Sequence, residues 1–270
     1  CLVPTLFVHV LLAERTNRQD EAQSEITQKW GSKQLISGPI ISLPYTKVTV
    51  DTQGIRRESS GVLNLLPEKL DHRATIEPEI RSRGIFDAVV YTTTIRGLGT
   101  FMPPDFSHTA VKADDIQWNK ASLSIGITDT RGLFQEINLN WNNFDIVFEP
   151  GAKNTLLGAN GIHAFVPFNA SNQSYEFIYS IAIRGSESLE FLPLGTETYV
   201  HLDSQWGSPS FTGAYLPGER EVGDGFSAEW LVSSFGWMAA GEGGLILSLS
   251  TSAIDGMAVR ASSSNSFNIL

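Results

Sequence analysis

Residues Tyr175 to Arg184 read YEFIYSIAIR, with Tyr175, Phe177, Tyr179, Ile181 and Ile183 at every second position. A period of two belongs to an extended chain with one face buried, because successive side chains of a strand point to opposite sides. The same device recurs upstream. Ser122 to Thr128 sets Leu123, Ile125 and Ile127 against Ser124 and Gly126, and Glu136 to Asn142 sets Ile137, Leu139 and Trp141 against Asn138 and Asn140. Further candidate strands are Lys47 to Val50, Val62 to Leu66, Ala88 to Ile95, Leu189 to Leu192, Tyr199 to Leu202, Phe226 to Val232 and Leu245 to Leu249. Gly38-Pro39 and Pro44 read as breaks. The expectation is an all-β fold, mainly antiparallel and sandwich-like, over residues 35–234.

A weak repeat suggests two similar β subdomains. Arg83-Gly84-Ile85-Phe86 leads through a strand to Thr94-Ile95-Arg96-Gly97, and Gly161-Ile162-His163-Ala164 leads likewise to Ala182-Ile183-Arg184-Gly185. The seam would fall near residues 103–120. Chance recurrence of strand and turn chemistry explains the pattern as well.

The N-terminal end differs. Cys1 to Ala13 (CLVPTLFVHVLLA) carries no formally charged side chain, but is shorter than the roughly 20 apolar residues a spanning helix needs. A buried core segment, a signal-peptide remnant and the end of a transmembrane helix compete. The last is favoured, because the run stops abruptly at Glu14-Arg15-Thr16-Asn17-Arg18. Residues 14–31 then read as an amphipathic helix, with Ala22, Ile26 and Trp30 on one stripe, Glu14/Arg18 and Glu25/Lys29 as i,i+4 pairs, and Gly31 as its stop.

Composition sets limits on function. Of 270 residues, 41% are hydrophobic and 18% charged, enough apolar mass for a sizeable core. A net charge of -10 argues against nucleic acid as a partner, since phosphate contact needs a basic surface. The single cysteine, Cys1, forms no intrachain disulfide and no cysteine metal site.

Reactive constellations are scarce. His9, His72, His108, His163 and His201 lack metal-ligand spacing, and no GxSxG elbow occurs. Gly151-Ala152-Lys153-Asn154 and Gly241-Glu242-Gly243-Gly244 lack phosphate-loop spacing. Catalytic residues, metal and cofactor are therefore expected to be none. Asp129 with Arg131 reads as a turn fastened by an ion pair, and Glu77, Glu79, Arg81 and Arg83 as an ion-paired polar face. The sharp alternative is a hydrolase or transferase acting on envelope glycan through Glu77, Glu79 or Asp129. Trp206, Phe211, Tyr215, Arg220 and Trp230 lie in one short aromatic segment broken by Pro209 and Pro217, which suits either core packing or a binding surface.

Several segments resemble the CreD inner-membrane family. They are Glu14-Arg15 with Arg18; Trp30-Gly31, Gln34, Gly38-Pro39 and Pro44-Tyr45; Leu66-Pro67 with Leu70; Glu79, Arg81, Arg83-Gly84-Ile85-Phe86 and Val90-Tyr91; Asp129-Thr130-Arg131-Gly132; and the Gly161-Ile162-His163-Ala164 turn. The longest match runs from Phe191-Leu192-Pro193-Leu194-Gly195 through Trp206-Gly207, Pro209-Ser210-Phe211, Gly213, Leu216-Pro217 and Arg220-Glu221-Val222 to Gly225-Phe226, Ala228 and Trp230. The resemblance covers roughly residues 5–231 and fades after Ser234, leaving 235–270 as a divergent segment. It implies an N-terminal spanning helix, a large periplasmic domain and later spanning helices, in a bacterial inner-membrane protein tied to cell-envelope integrity with no established catalytic activity. The reading is thus a non-enzymatic binding, sensing or scaffolding module whose partner is the membrane, with a protein or glycan ligand unknown.

Overall fold

The computed structural model describes residues 14–18, 21–22, 24–50, 52–107, 109–157, 160–170, 174–213, 215–233 and 259–263. The expected transmembrane end at residues 1–13 and the expected strand Leu245 to Leu249 lie outside them. Residues 14–18, 21–22 and 24–30 are helical, and both expected ion pairs form, Arg18 to Glu14 at 2.6 Å and Lys29 to Glu25 at 2.8 Å. Among the described residues no helix is long and apolar enough to cross a membrane.

Beyond the helix most of the described residues lie in strands. In order these are β1 (Gln34–Val50), β2 (Arg56–Leu65), β3 (Lys69–Arg83), β4 (Phe86–Phe101), β5 (Ser122–Ile127), β6 (Asn138–Trp141), β7 (Phe144–Val147), β8 (Glu149–Pro150), β9 (Gly161–Phe165), β10 (Tyr175–Ser186), β11 (Ser188–Leu192), β12 (Glu197–Ser204), β13 (Pro209–Gly213), β14 (Glu219–Val222), β15 (Phe226–Ser233) and β16 (Val259–Ser263). One sheet runs β13-β16-β11-β1-β5-β9-β8, with β2 on the second half of β1. The other runs β14-β15-β12-β3-β4-β10-β6-β7. Pairing is antiparallel except β1 with β11 and β3 with β12.

The alternating stretch from Tyr175 forms β10, paired along its length with β4 and at its start with β6. Tyr175, Phe177, Tyr179, Ile181 and Ile183 are all buried, as period two demands. They share one core with Leu70, Ile95, Val200 and Trp230 of their own sheet and with Ile36, Leu123, Ile125 and Phe191 of the other. The two layers are also tied by a hydrogen bond, from the Tyr91 hydroxyl to the Ser188 carbonyl at 2.7 Å. Strands from before and after residues 103–120 stand side by side in both sheets.

Two local expectations need correction. β1 passes straight through Gly38-Pro39 and Pro44. Its register with β5 shifts between Ser37 and Ile40, so a bulge absorbs the first proline, and Pro44 pairs with Val62 of β2. The Gly161 to Ala164 segment, expected as a turn, is strand β9. The tight turn nearby is Asn142-Asn143, both at positive φ (47° and 69°), which joins β6 to β7 as a short hairpin loop requires.

His72, fully buried on β3, carries a pH dependence. Its Nδ1 lies 3.3 Å from the Tyr179 hydroxyl, its ring packs 5.1 Å from Phe191, and its Nε2 finds no hydrogen-bond partner among the described residues. Burial lowers its pKa to about 4, only partly offset by the Gly38 backbone. The folded state thus holds the neutral ring. The unfolded chain takes up a proton near pH 6.5 and the folded one not until about 4, so stability falls as pH drops through that window. A tenfold difference in proton affinity between the two states corresponds to about 1.4 kcal/mol. Urea midpoints of wild type and His72→Phe should diverge between pH 6.5 and 4, with the variant the flatter; parallel curves would contradict this.

Candidate functional site

The helix ends where it meets the sandwich, and the contacts there are dense. Thr27 is buried and Trp30 half-buried. The Trp30 ring is met by two guanidinium groups, Arg81 at 4.5 Å and Arg184 at 4.7 Å, and its Nε1 donates to the Tyr91 carbonyl at 3.0 Å. Gly31 follows at φ 154°; a Cβ there would stand 2.7 Å from the Arg184 carbonyl oxygen, so the chain passes closer to β10 than any side chain permits. The Ser186 hydroxyl donates to the Gly31 carbonyl at 2.8 Å.

Asp129 completes the junction. Its carboxylate accepts from the Ser32 backbone at 3.1 Å and hydroxyl at 2.9 Å, and from Arg131 Nε at 2.8 Å, Nη2 at 2.7 Å and backbone at 3.2 Å. Gln34 doubles the link. Its Nε2 donates to the carbonyls of Asp129 at 3.0 Å and Arg184 at 2.9 Å, while its Oε1 accepts from Asp129 N at 3.1 Å. The Arg131 guanidinium holds the Asp129 carboxyl well below the usual carboxylate range, so at neutral pH it is a fixed anion and not a proton donor. Arg83, at the tip of β3, forms an ion pair with Glu25 of the helix and supplies a second tie.

Trp30, Gly31, Gln34, Asp129, Arg131, Gly132 and Arg184 come from separate sequence segments and meet at this one joint. Gln34 and Ser32 are legible in the sequence as motif letters or not at all; nothing in their spacing reveals that Asp129 is their partner. The remaining candidates lie elsewhere. His163 on β9 bonds through Nδ1 to the Gly151 carbonyl at 2.6 Å and stands 3.5 Å from Glu149 through Nε2. Phe211 packs edge-on to Phe226 and Trp230, both at 5.5 Å, and buried Trp230 donates to the Tyr215 carbonyl at 3.3 Å. Trp206 and Tyr215 are half-buried, and Arg220 is exposed on β14. Glu77 and Glu79 are exposed on β3, with Glu79 bound to Arg81 at 2.9 Å.

Three of the open clefts lined by described residues stand out. One, of about 750 Å³, lies between the helix and the β3–β4 turn; one, of about 590 Å³, is lined by aromatic rings and asparagines; one, of about 520 Å³, is lined by residues including Glu136, Ile137 and Phe148. Glu77, Glu79 and Asp129 line none of them.

Fold and joint together define a two-sheet β module locked onto an N-terminal helix. The family described as inner membrane protein CreD matches residues 1–244, and the chain belongs to that family. It is 27% identical over 239 residues to the inner membrane protein CreD of Escherichia coli (strain K12), covering 87% of this chain and 52% of that protein. The chain thus spans about half the length of this curated relative. Among solved structures, the M1 zinc metallopeptidase from Deinococcus radiodurans aligns with 61% of this chain and 38% of its own at 9% identity and a TM-score of 0.29, a likeness too slight to bear on fold or chemistry.

Proposed function

We propose that this chain is the periplasmic β domain of an inner-membrane protein of the bacterial cell envelope, working without catalysis as a binding, sensing or scaffolding module. The observation that carries it is the joint at Trp30 and Asp129. Two cation–π contacts, a five-bond carboxylate and a backbone approach that admits only glycine fix the helix to the sandwich as one body. Such rigidity suits a domain that must hold, or pass force to, a membrane segment. The three acidic residues suited to glycan hydrolysis are dispersed or engaged: Glu79 pairs with Arg81 and Asp129 with Arg131, while Glu77 is exposed on β3.

Orientation is tested in intact cells carrying the full-length protein with its native cysteines, Cys1 among them, changed to serine and a new cysteine at exposed Glu221. A membrane-impermeant maleimide should label Glu221→Cys once the outer membrane is permeabilised. Labelling that waits for rupture of the inner membrane would place the domain in the cytoplasm. Coupling is tested separately. Trp30→Leu removes two cation–π contacts and one hydrogen bond, an expected loss of about 2 kcal/mol in denaturant unfolding. An unchanged midpoint would mean that the helix is not held by the sheet.

A further inference from the structure

The aromatic cleft of about 590 Å³ is built unlike the rest of the surface. Behind it lies a run of packed core rings, where Trp141 stacks on Tyr175 at 5.4 Å and Phe168 lies 4.4 Å from Tyr175, and half-buried Trp118 stacks on Phe168 at 6.2 Å. Two further rings stand open to water, Phe144 on β7 at 68% exposure and Phe165 at the end of β9 at 49%. Asn119, Asn142 and Asn169 supply amides around them. Asn142 is held by accepting from Glu176 N at 2.7 Å, and Asn169 by accepting from the Tyr175 hydroxyl at 2.8 Å. In a chain of net charge -10, no Asp, Glu, Lys or Arg among the described residues lines this cleft.

We propose that the cleft binds an uncharged saccharide. A sugar ring has an apolar C–H face, which stacks on the electron-rich face of an aromatic ring, and a rim of hydroxyls. An asparagine amide both donates and accepts, and so matches hydroxyls without adding charge. Open rings beside fixed amides, with no ionic side chain, answer both halves of that ligand. An anionic ligand would find no cation here. A folded protein partner buries about 800 Å² on each side, and its interface is commonly enriched in arginine, for which a cleft without carboxylates offers no ion-pair partner. The volume falls within the roughly 300–1,000 Å³ of small-molecule sites. The inference stands apart from the membrane reading, since binding is measured on the protein whichever side of a membrane it occupies.

The test titrates the full chain in detergent with tri-N-acetylchitotriose, with maltotriose, and with an uncharged Phe- and Leu-containing octapeptide, followed by calorimetry and tryptophan emission. Saturable binding of a trisaccharide is expected, with a change in emission because half-buried Trp118 lines the cleft. Phe144→Ala and Phe165→Ala should each weaken it roughly tenfold. Thermal midpoints should stay unchanged, as both rings are largely outside the core. Asn119→Leu, at an exposed turn, is a second variant expected to weaken binding without touching the rings. No saturable binding of either sugar, binding undiminished in all three variants, or binding of the peptide alone would overturn the proposal.

Discussion

Asp129→Ala is expected to cost about 3 kcal/mol of folding free energy, the upper end for hydrogen bonds to a buried charged group, since the Arg131 it leaves behind is mostly exposed. The carboxylate is buried and accepts five hydrogen bonds, three from Arg131 and two from Ser32. Alanine leaves the Ser32 N–H without its acceptor at the point where the helix joins β1, and frees the turn at Thr130–Gly132. Asp129→Asn keeps the shape but surrenders the charge, and should lose less, about 2 kcal/mol. The pH dependence follows from the lowered pKa. The unfolded carboxyl titrates near 4 and the folded one below it, so this stabilisation is present above about pH 4 and is lost as pH falls below that value. Urea unfolding should show wild type well above Asp129→Asn at about pH 7 and the gap closing below about pH 4. A gap that persisted undiminished at about pH 2 would assign the effect to packing instead of charge.

Trp141→Ala should be comparably severe, about 3–5 kcal/mol for emptying an aromatic site that cannot collapse. Trp141 is 0% exposed, pairs with Phe177 across β6 and β10, and is surrounded by Phe101 at 6.1 Å, Phe168 at 6.2 Å and Tyr175 at 5.4 Å. Its Nε1 donates to the Pro167 carbonyl at 3.0 Å, which holds the segment after β9 against the core. Trp141→Phe retains most of the ring and strands only that carbonyl, so a loss of about 1–2 kcal/mol is expected. Equal losses in the two variants would show the hydrogen bond, not the volume, to be decisive. The same alanine variant should also weaken saccharide binding, since it removes the support on which Phe168 and Tyr175 of the cleft pack.

Strand identity is legible where burial is one-sided. That holds at the start of Tyr175–Ser186; Ser122–Ile127 is buried on both faces, yet its alternation of large apolar residues with serine and glycine is just as local. β3 is less so. Its outer half carries Glu77, Glu79, Arg81 and Arg83 and is largely exposed on both sides, so no apolar face marks it as strand. The prolines of β1 mislead for a related reason. A proline ends a strand only if the missing N–H was needed, and beside a bulge it is not.

At the joint, the chain spells the letters without showing the contact. Trp30-Gly31, Gln34 and Asp129-Thr130-Arg131-Gly132 are recognisable in order, yet Gln34 and Arg184 stand 150 residues apart and meet only because β10 is brought beside the helix end. The cleft is hidden more completely. Trp118, Phe144 and Phe165 belong to a short turn, an edge strand and the end of β9, and none shares a motif with another.

Local period and local spelling were enough to establish that the chain is built of strands, which side chains of each clear alternating strand face inward, and which family it resembles. Which strands are neighbours, including the parallel pairs β1 with β11 and β3 with β12, and hence which distant residues share a surface, came from the folded arrangement. The physical reason is that backbone hydrogen bonding is the same for every sequence; partners and register are settled when both sheets close on one shared core.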